Sequence, residues 1–445
     1  MCRQITDTGR PPLTMAKATA VEKYLGTYAL LPGGCPELDG QWQHILVVPC
    51  YDESASFIED FCRAHGTTSI LLLLVINRPE GSPSNVNQRL REGLAGWSHE
   101  AIQPGYTLHR AGEHLSILSV DLEHLEGETP RDQGVGRARR VGCDLALALI
   151  NKGTITSPWI VSGDADCHWP SGFFQQRWPD DASAITLPFT HHGLENDPTS
   201  AATLLYELKL HHYVLHLAAL GSPYAFHALG SSFAVSANAY ASVRGVPIRG
   251  AGEDFYLLNK LAKVGAIHRA TGAGVTITAR QSSRVPFGTG PAVQHLLEAE
   301  DILVAPLFYN ATCFKTVGAL LDVFNHWVNH PDANTEVALE QALGSDIASS
   351  VMPLLQQWHY QKAIAHINNA ARTAALRQQH THVWLDGFKL LKLIHLLRDS
   401  HYPNVSFLDS VNEAAQWPIA LRGAAPDQVR QSIYEHLGWR FYGTQ

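Results

Sequence analysis

The sequence predicts an α/β domain built on a mostly parallel sheet, followed by a helical domain. Three observations carry this reading. Between about residues 44 and 190, short apolar runs of strand length alternate with amphipathic helical stretches, the pattern of a parallel sheet covered on both faces. Beyond about residue 295 the alternation stops and apolar residues recur at helical spacing. No run of about 20 apolar residues interrupts either part, so nothing is expected to span a bilayer.

Residues 1–43 are rich in Pro, Gly and Thr and read as an irregular lead-in with one short helix near Val21. His44 to Cys50 is the first buried strand. Ser56-Phe57-Ile58-Glu59 matches a capping box opening a helix that stops at Gly66. Ile70 to Ile76 is a second strand, Val86 to Leu94 a helix and Leu115 to Val120 a third strand. Arg137 to Asn151 is helical, with Gly153 as its stop. Trp159 to Ser162 and Ala184 to Phe189 are the fourth and fifth strands. A long helix over Thr199 to Leu220 leads into a Gly/Ser-rich segment, Tyr224 to Val246, and a helix over Glu253 to Val264. Helical spacing then covers Phe314 to Val328, Thr335 to Leu343, Ile347 to Gln378 and Thr381 to Arg398. The expected organisation is a lead-in (1–43), an α/β domain (44–294) and a helical domain (295–445).

Composition narrows the class. The chain has 445 residues, 45% apolar and 17% charged, as in a soluble globular protein of two or three domains. A net charge of −8 disfavours a broad grip on nucleic acid or on an acidic membrane surface. The seven cysteines are scattered without a CxxC pair, which argues against a zinc knuckle and a disulfide scaffold. No signal-peptide core is visible, and a reduced, cytoplasmic protein is expected. His212 and His216 stand at i, i+4, a spacing that can hold a metal, but no carboxylate or cysteine joins them, so packed histidines are the better reading.

Four motifs carry chemistry. Gly163-Asp164-Ala165-Asp166 follows the fourth strand directly. Ligands gather at the carboxyl ends of strands in such sheets. Two carboxylates one residue apart there can bind a divalent cation that bridges a diphosphate. Pro49-Cys50-Tyr51-Asp52-Glu53 ends the first strand, where an aromatic ring and an acid can hold a nucleoside. No dinucleotide-binding or P-loop glycine pattern follows that strand. Gly134-Val135-Gly136-Arg137-Ala138-Arg139-Arg140-Val141-Gly142 opens the helix before the acidic strand, where glycines, a helix N-terminus and arginines suit phosphate oxygens. Gly250-Ala251-Gly252-Glu253-Asp254-Phe255 places two acids at a helix start, suited to capping or to general-base work.

In this order and spacing, P-x-Y-x-E, A-R-x-x-G, D-A-D and G-E-D resemble glycosyltransferase family 2, over residues 44–290. The resemblance implies a GT-A-type, Rossmann-like nucleotide-diphosphosugar transferase fold. It implies that Asp164 and Asp166 bind Mg²⁺ or Mn²⁺ with the sugar nucleotide, a UDP- or GDP-sugar. Pro49, Tyr51, Glu53, Asn77, Arg139 and Asp164 would line the nucleotide-sugar site. Asp254 would be the base that deprotonates an acceptor hydroxyl. Glu253, Ser231 and Arg284 would shape the acceptor and diphosphate side, with Arg284 on a Gly-hinged loop, Arg280 to Gly290. Asn77 stands where the family often has Asp, and the Q-x-x-R-W motif of processive synthases is absent, so a non-processive enzyme is expected. A retaining transferase on the same fold, and a catalytically silent nucleotide-sugar-binding protein, are the alternatives. His227 fits either a hydroxyl contact or a satisfied buried position. The donor sugar and the acceptor are not readable from the motifs.

Overall fold

The computed structural model describes residues 18–280, 288–330 and 335–441. Its strands are β1 His44–Cys50, β2 Ile70–Ile76, β3 His99–Gln103, β4 Tyr106–Arg110, β5 Leu115–Asp121, β6 Trp159–Ser162, β7 Cys167–His168, β8 Ala182–Thr186, β9 Phe189–His192, β10 Phe233–Ser236, β11 Ala266–Arg269, β12 Gly272–Ala273, β13 Val275–Thr278 and β14 Trp439–Arg440. Nine of them form one sheet in the order β11-β8-β10-β6-β1-β2-β5-β4-β3. At its centre β6, β1, β2 and β5 run parallel, while β10 is antiparallel to both β6 and β8. The predicted fold class, a mostly parallel α/β sheet followed by helices, is observed. β2 is buried along its whole length, because β1 and β5 flank it and helices cover both faces. Its side chains divide by pleat. Leu71, Leu73 and Val75 enter one core, while Ile70, Leu72, Leu74 and Ile76 enter the other.

The helices of the first part are α1 Ala20–Thr27, α2 Ser56–His65, α3 Gln88–Ala95, α4 Leu122–Glu126, α5 Gly134–Asn151, α6 Pro198–Ala219, α7 Ala237–Ser242 and α8 Glu253–Leu261. Beyond them come α9 Thr289–Leu297, α10 Ala311–Asn329, α11 Thr335–Leu343, α12 Ser345–Gln357, α13 Tyr360–Ala370, α14 Ala374–Trp384, α15 Gly387–Ser400, α16 Phe407–Asn412 and α17 Pro426–Leu437. None of the described helices is long and apolar enough to cross a membrane. Helix α5 is buried almost throughout and presses on β1 and β2. A Cβ at Gly142 would lie 2.4 Å from Val47 Cγ1, so only glycine permits that approach. The later helices are not sealed off from the sheet. Residues of α10, α12 and α15 share a continuous core with β1 and α5, α17 packs on α6, and β14 pairs with β12.

Several local expectations are corrected. Ser56 is not a helix cap: Ala55 holds the N-cap position without a side-chain bond, and the Ser56 hydroxyl bonds Ser54 instead. The polar β3–β4 hairpin escaped notice because it lies at the sheet edge, where alternation is weak. Ala184 to Phe189 is two strands in different sheets, divided at Leu187-Pro188, where proline supplies no N–H. The Gly/Ser-rich segment contains β10 and α7. The helical stretch from Ile347 breaks at His359, which adopts φ 54°, and again between α13 and α14.

A buried polar knot joins α1 to this core. Asp144 on α5 accepts hydrogen bonds from the Tyr24 and Tyr240 hydroxyls, both at 2.6 Å, from the Leu30 amide at 2.7 Å and from Arg140 Nε at 2.7 Å. Arg140 donates its remaining N–H groups to the carbonyls of Tyr28, Arg244 and Val246. Arg140 is therefore an internal fastener of the lead-in rather than a phosphate contact. Removing one member of a buried ion pair strands the other charge, at about 3–5 kcal/mol. Asp144→Ala should lose about that much in a denaturant melt, while Tyr24→Phe, which deletes one bond to a charged group, should lose about 1.5–3 kcal/mol.

Candidate active site

The loops after β1, β2 and β6 open into one cavity of about 1120 Å³ at the carboxyl ends of the parallel strands. Pockets for one drug-sized ligand measure about 300–1,000 Å³, so this cavity stands just above the upper end of that range. Pro49, Tyr51, Glu53, Asn77, Arg139, Asp164, Asp166, Ser231, Glu253 and Asp254 all line it. Arg284 lies outside the described residues.

The nucleoside end is built by the turns after β1 and β2. Asp52 takes φ 54° and its amide donates to Asn87 Oδ1 at 3.0 Å, which turns the chain back and leaves Tyr51 and Glu53 facing the cavity. The Tyr51 hydroxyl bonds Ser82 at 3.0 Å, which orients its ring. Asn77 is buried and its main chain is satisfied, its amide donating to Cys50 and its carbonyl accepting from Asn87. Among the described residues its side-chain amide has no protein partner, so a donor and an acceptor are presented to the cavity.

The acidic turn follows β6. Gly163 donates its amide to Val47, and Thr278 of β13 donates to the Asp166 carbonyl, which fixes the turn from both sides. Asp164 accepts from Arg139 Nη2 at 2.8 Å, and Asp166 pairs with Arg280 at 2.9 Å. Arg280 also reaches Glu53 at 3.0 Å. Burial, then repulsion from Asp164, pushes the Asp166 carboxyl above its ordinary range. Six carboxylates (Glu53, Glu80, Asp164, Asp166, Glu253 and Asp254) thus share the cavity with three arginines, Arg131, Arg139 and Arg280. No three His, Cys, Asp or Glu side chains among the described residues converge as a complete metal cage. Two hard carboxylates with surplus negative charge nonetheless fit Mg²⁺ or Mn²⁺, which commonly take one or two protein carboxylates and complete their shell with phosphate oxygens and water.

Arg139 is almost wholly enclosed, at 2% exposure. It donates to Glu253 at 3.0 Å, Ser162 Oγ at 2.7 Å and the Gly230 carbonyl at 2.8 Å, besides Asp164. Burial opposes its charge, but the Asp164 and Glu253 carboxylates outweigh it and hold the guanidinium firmly protonated. A Cβ at Gly230 would sit 2.6 Å from Nη2, so this passage requires glycine. With its donors committed, Arg139 braces the site from behind. Glu253 is likewise turned inward, toward Arg139.

Asp254 is the second residue of α8, which Gly252 starts at φ 74°. Its Oδ1 accepts from the Phe255 amide at 2.7 Å. Burial, then repulsion from Glu253, raises its pKa to about 7. A carboxyl so placed can hold or release a proton near neutrality. Ser231 is buried and lines the same cavity.

The histidines are packed groups. His212 and His216 turn their Nε2 atoms to the Gln416 carbonyl at 2.8 and 2.9 Å. His227 bonds His211 at 2.9 Å and is held well below the usual imidazole range by burial. Arg280, Tyr206 and Lys209 also line the cavity and were not singled out as site residues from the sequence. Arg280 lies two residues beyond the end of β13, and Tyr206, Lys209 and Tyr213 share one face of α6, a spacing visible in the sequence but masked by apolar neighbours.

No protein-family model and no curated protein matches the chain. Solved structures to which it is similar include glucosyl-3-phosphoglycerate synthase from Mycobacterium tuberculosis with Mn²⁺, UDP and glucosyl-3-phosphoglycerate, at 16% identity over 65% of this chain and 84% of that one, TM-score 0.32. The same enzyme with Mn²⁺, UDP-glucose and phosphoglyceric acid matches at 15% identity over 66% and 88%, TM-score 0.31. A mycobacterial protein matches at 16% identity over 64% and 77%, TM-score 0.31. At these values the likeness is distant.

Proposed function

We propose that the protein is a metal-dependent glycosyltransferase of the GT-A type that moves a sugar from a nucleoside diphosphate to an acceptor hydroxyl with inversion. The observation that carries this reading is the convergence on one cavity of a paired-carboxylate turn, an aromatic ring beside an open amide at Tyr51 and Asn77, and an acid poised near neutrality. Tyr51 and Asn77 contact the base, Asn77 offering its amide to a uracil or guanine edge. Asp164 and Asp166 would hold Mg²⁺ or Mn²⁺, which when bound offsets the charge on the diphosphate. Asp254 accepts the proton of the acceptor hydroxyl as its oxygen bonds to the anomeric carbon. The bond from that carbon to the diphosphate breaks, and the electron pair leaves with the diphosphate. One base on the far side of the sugar from the leaving group gives inversion. Arg139 and Glu253 are positioning residues, since they pair with each other and Arg139 spends bonds from all three nitrogens on Asp164, Ser162 and the Gly230 carbonyl as well.

Asp166→Ala should remove the metal dependence of nucleotide binding while leaving the fold intact, because the residue sits on a turn outside the sheet. Calorimetry checks this. Wild-type protein should bind UDP or GDP at least tenfold more tightly with Mn²⁺ than with EDTA, and the variant should show no such difference.

Asp254→Asn should lower kcat by about 10²–10⁴, the contribution of a positioned base, with little change in donor affinity. In the wild type the rate should climb as pH rises through about 7 and the base ionises. The variant should lack that limb. Stability moves the other way. Because the folded pKa stands above the ordinary 3.8, ionising Asp254 within the fold is unfavourable. That penalty is absent below pH about 4 and complete above pH about 7. Metal-free Asp254→Asn should therefore be more stable than wild type at pH 8, by about 1–3 kcal/mol, and match it at pH 4. A variant with more than about a tenth of wild-type turnover would overturn the assignment.

A further inference from the structure

The cavity continues past Asp254, away from the nucleoside end, into a chamber between α6 and α15. Tyr206, Lys209 and Tyr213 project from one face of α6, while Leu391 and His395 close the opposite wall from α15. The Tyr309 hydroxyl bonds His395 Nε2 at 2.8 Å. Lys209 points its ammonium at the Tyr309 ring, 5.7 Å from the centroid. Among the described residues it has neither a carboxylate partner nor a hydrogen bond. A desolvated ammonium without a counter-charge is unfavourable unless something supplies one. The other charged group at this end is Arg398, whose guanidinium lies 6.0 Å from the same ring and is itself paired with Asp399. Burial, then Arg398, pushes the Lys209 pKa down, the expected result for a cation that lacks its anion. The donor end carries the opposite imbalance, with surplus carboxylates. Tyr206 lies within electrostatic reach of Asp254, and Lys209 stands one helical turn farther along.

We propose that the acceptor is a small hydroxylated anion, with its carboxylate or phosphate held at Lys209 and its hydroxyl presented to Asp254. This deepens the transferase reading and rests on it for the role of the hydroxyl. The unpaired cation is a feature of the chamber whatever the reaction. A neutral acceptor would leave Lys209 unmatched.

Three ligands of one skeleton test it: glycerol, D-glycerate and glycerol 3-phosphate. Each is titrated by calorimetry at low salt, with UDP and Mn²⁺ present to fill the diphosphate site, and again without them. At least one of the two anions should bind, glycerol should not, and the better anion identifies carboxylate or phosphate. Lys209→Met should weaken that anion at least tenfold with UDP–Mn²⁺ affinity kept within about twofold, and Lys209→Arg should retain most of the binding. Equal binding of glycerol, or undiminished anion binding by a Lys209→Met protein with a normal melting transition, overturns the proposal. Should Lys209→Met fail to fold, Lys209→Gln gives the same reading. If wild-type protein binds no UDP, the donor assignment falls, and the anion site stands or falls on the titration without nucleotide.

Discussion

Everything at the site hangs on one buried cation. Arg139 joins the acidic turn after β6, the start of α8 and the backbone at Gly230, three segments far apart in sequence, through its bonds to Asp164, Glu253 and the Gly230 carbonyl. A guanidinium suits this because its fork of donors is rigid and its charge permanent. The consequence is geometric. The turn that would hold the metal and the helix that presents Asp254 are set against each other by the same group, so neither moves alone. The glycines around it serve that convergence, Gly142 by letting α5 close on the sheet and Gly230 by giving Nη2 room.

The charge layout follows from this brace. Arg139 neutralises part of the carboxylate cluster from within, and Arg280 ties Glu53 to Asp166 from the rim. What is left over is negative around the acidic turn and positive at Lys209. Such a division favours a divalent cation with a diphosphate on one side and an anion on the other. It is maintained against folding stability, since Asp166 and Asp254 are both harder to ionise where they stand than in water. Groups strained in this way cluster where chemistry is done.

Much of the fold was legible because its central strands are long, apolar and separated by helical periods. β1, β2 and β6 have the bounds expected from the sequence. The edge hairpin β3–β4, the short β10 and the division between β8 and β9 were not legible, because four-residue or polar strands have too little periodicity to separate from loops. At the site, the four motifs and the family resemblance led to ten side chains that share one cavity, Asn77 and Ser231 coming from the resemblance. Arginine was the residue type read least well from sequence alone. The run Arg137, Arg139, Arg140 suggested phosphate, whereas Arg137 pairs with Glu126, Arg139 is sealed behind the acidic turn and Arg140 fastens the lead-in. Which way a side chain on a helix faces depends on partners more than 100 residues away, such as Glu253 and Val246. The chamber between α6 and α15 was invisible for the same reason, as each helix shows ordinary amphipathic spacing.

The pairing of β14 with β12, and the seat of α17 on α6, have a consequence for how the chain is made. Tyr434 donates to the buried Glu207 of α6 at 2.6 Å, and Trp439 packs on Phe189 and His211. A ribosome at about 5–20 residues per second delivers α6 many seconds before these partners emerge. Until then the apolar flank of α6 and a buried-type carboxylate stand open to water, and the chamber beside Lys209 lacks its α15 wall. High contact order of this kind slows folding and exposes the nascent chain to aggregation. The central sheet can form early during translation, whereas the complete cavity must wait for α15, and the flank of α6 for α17 and β14.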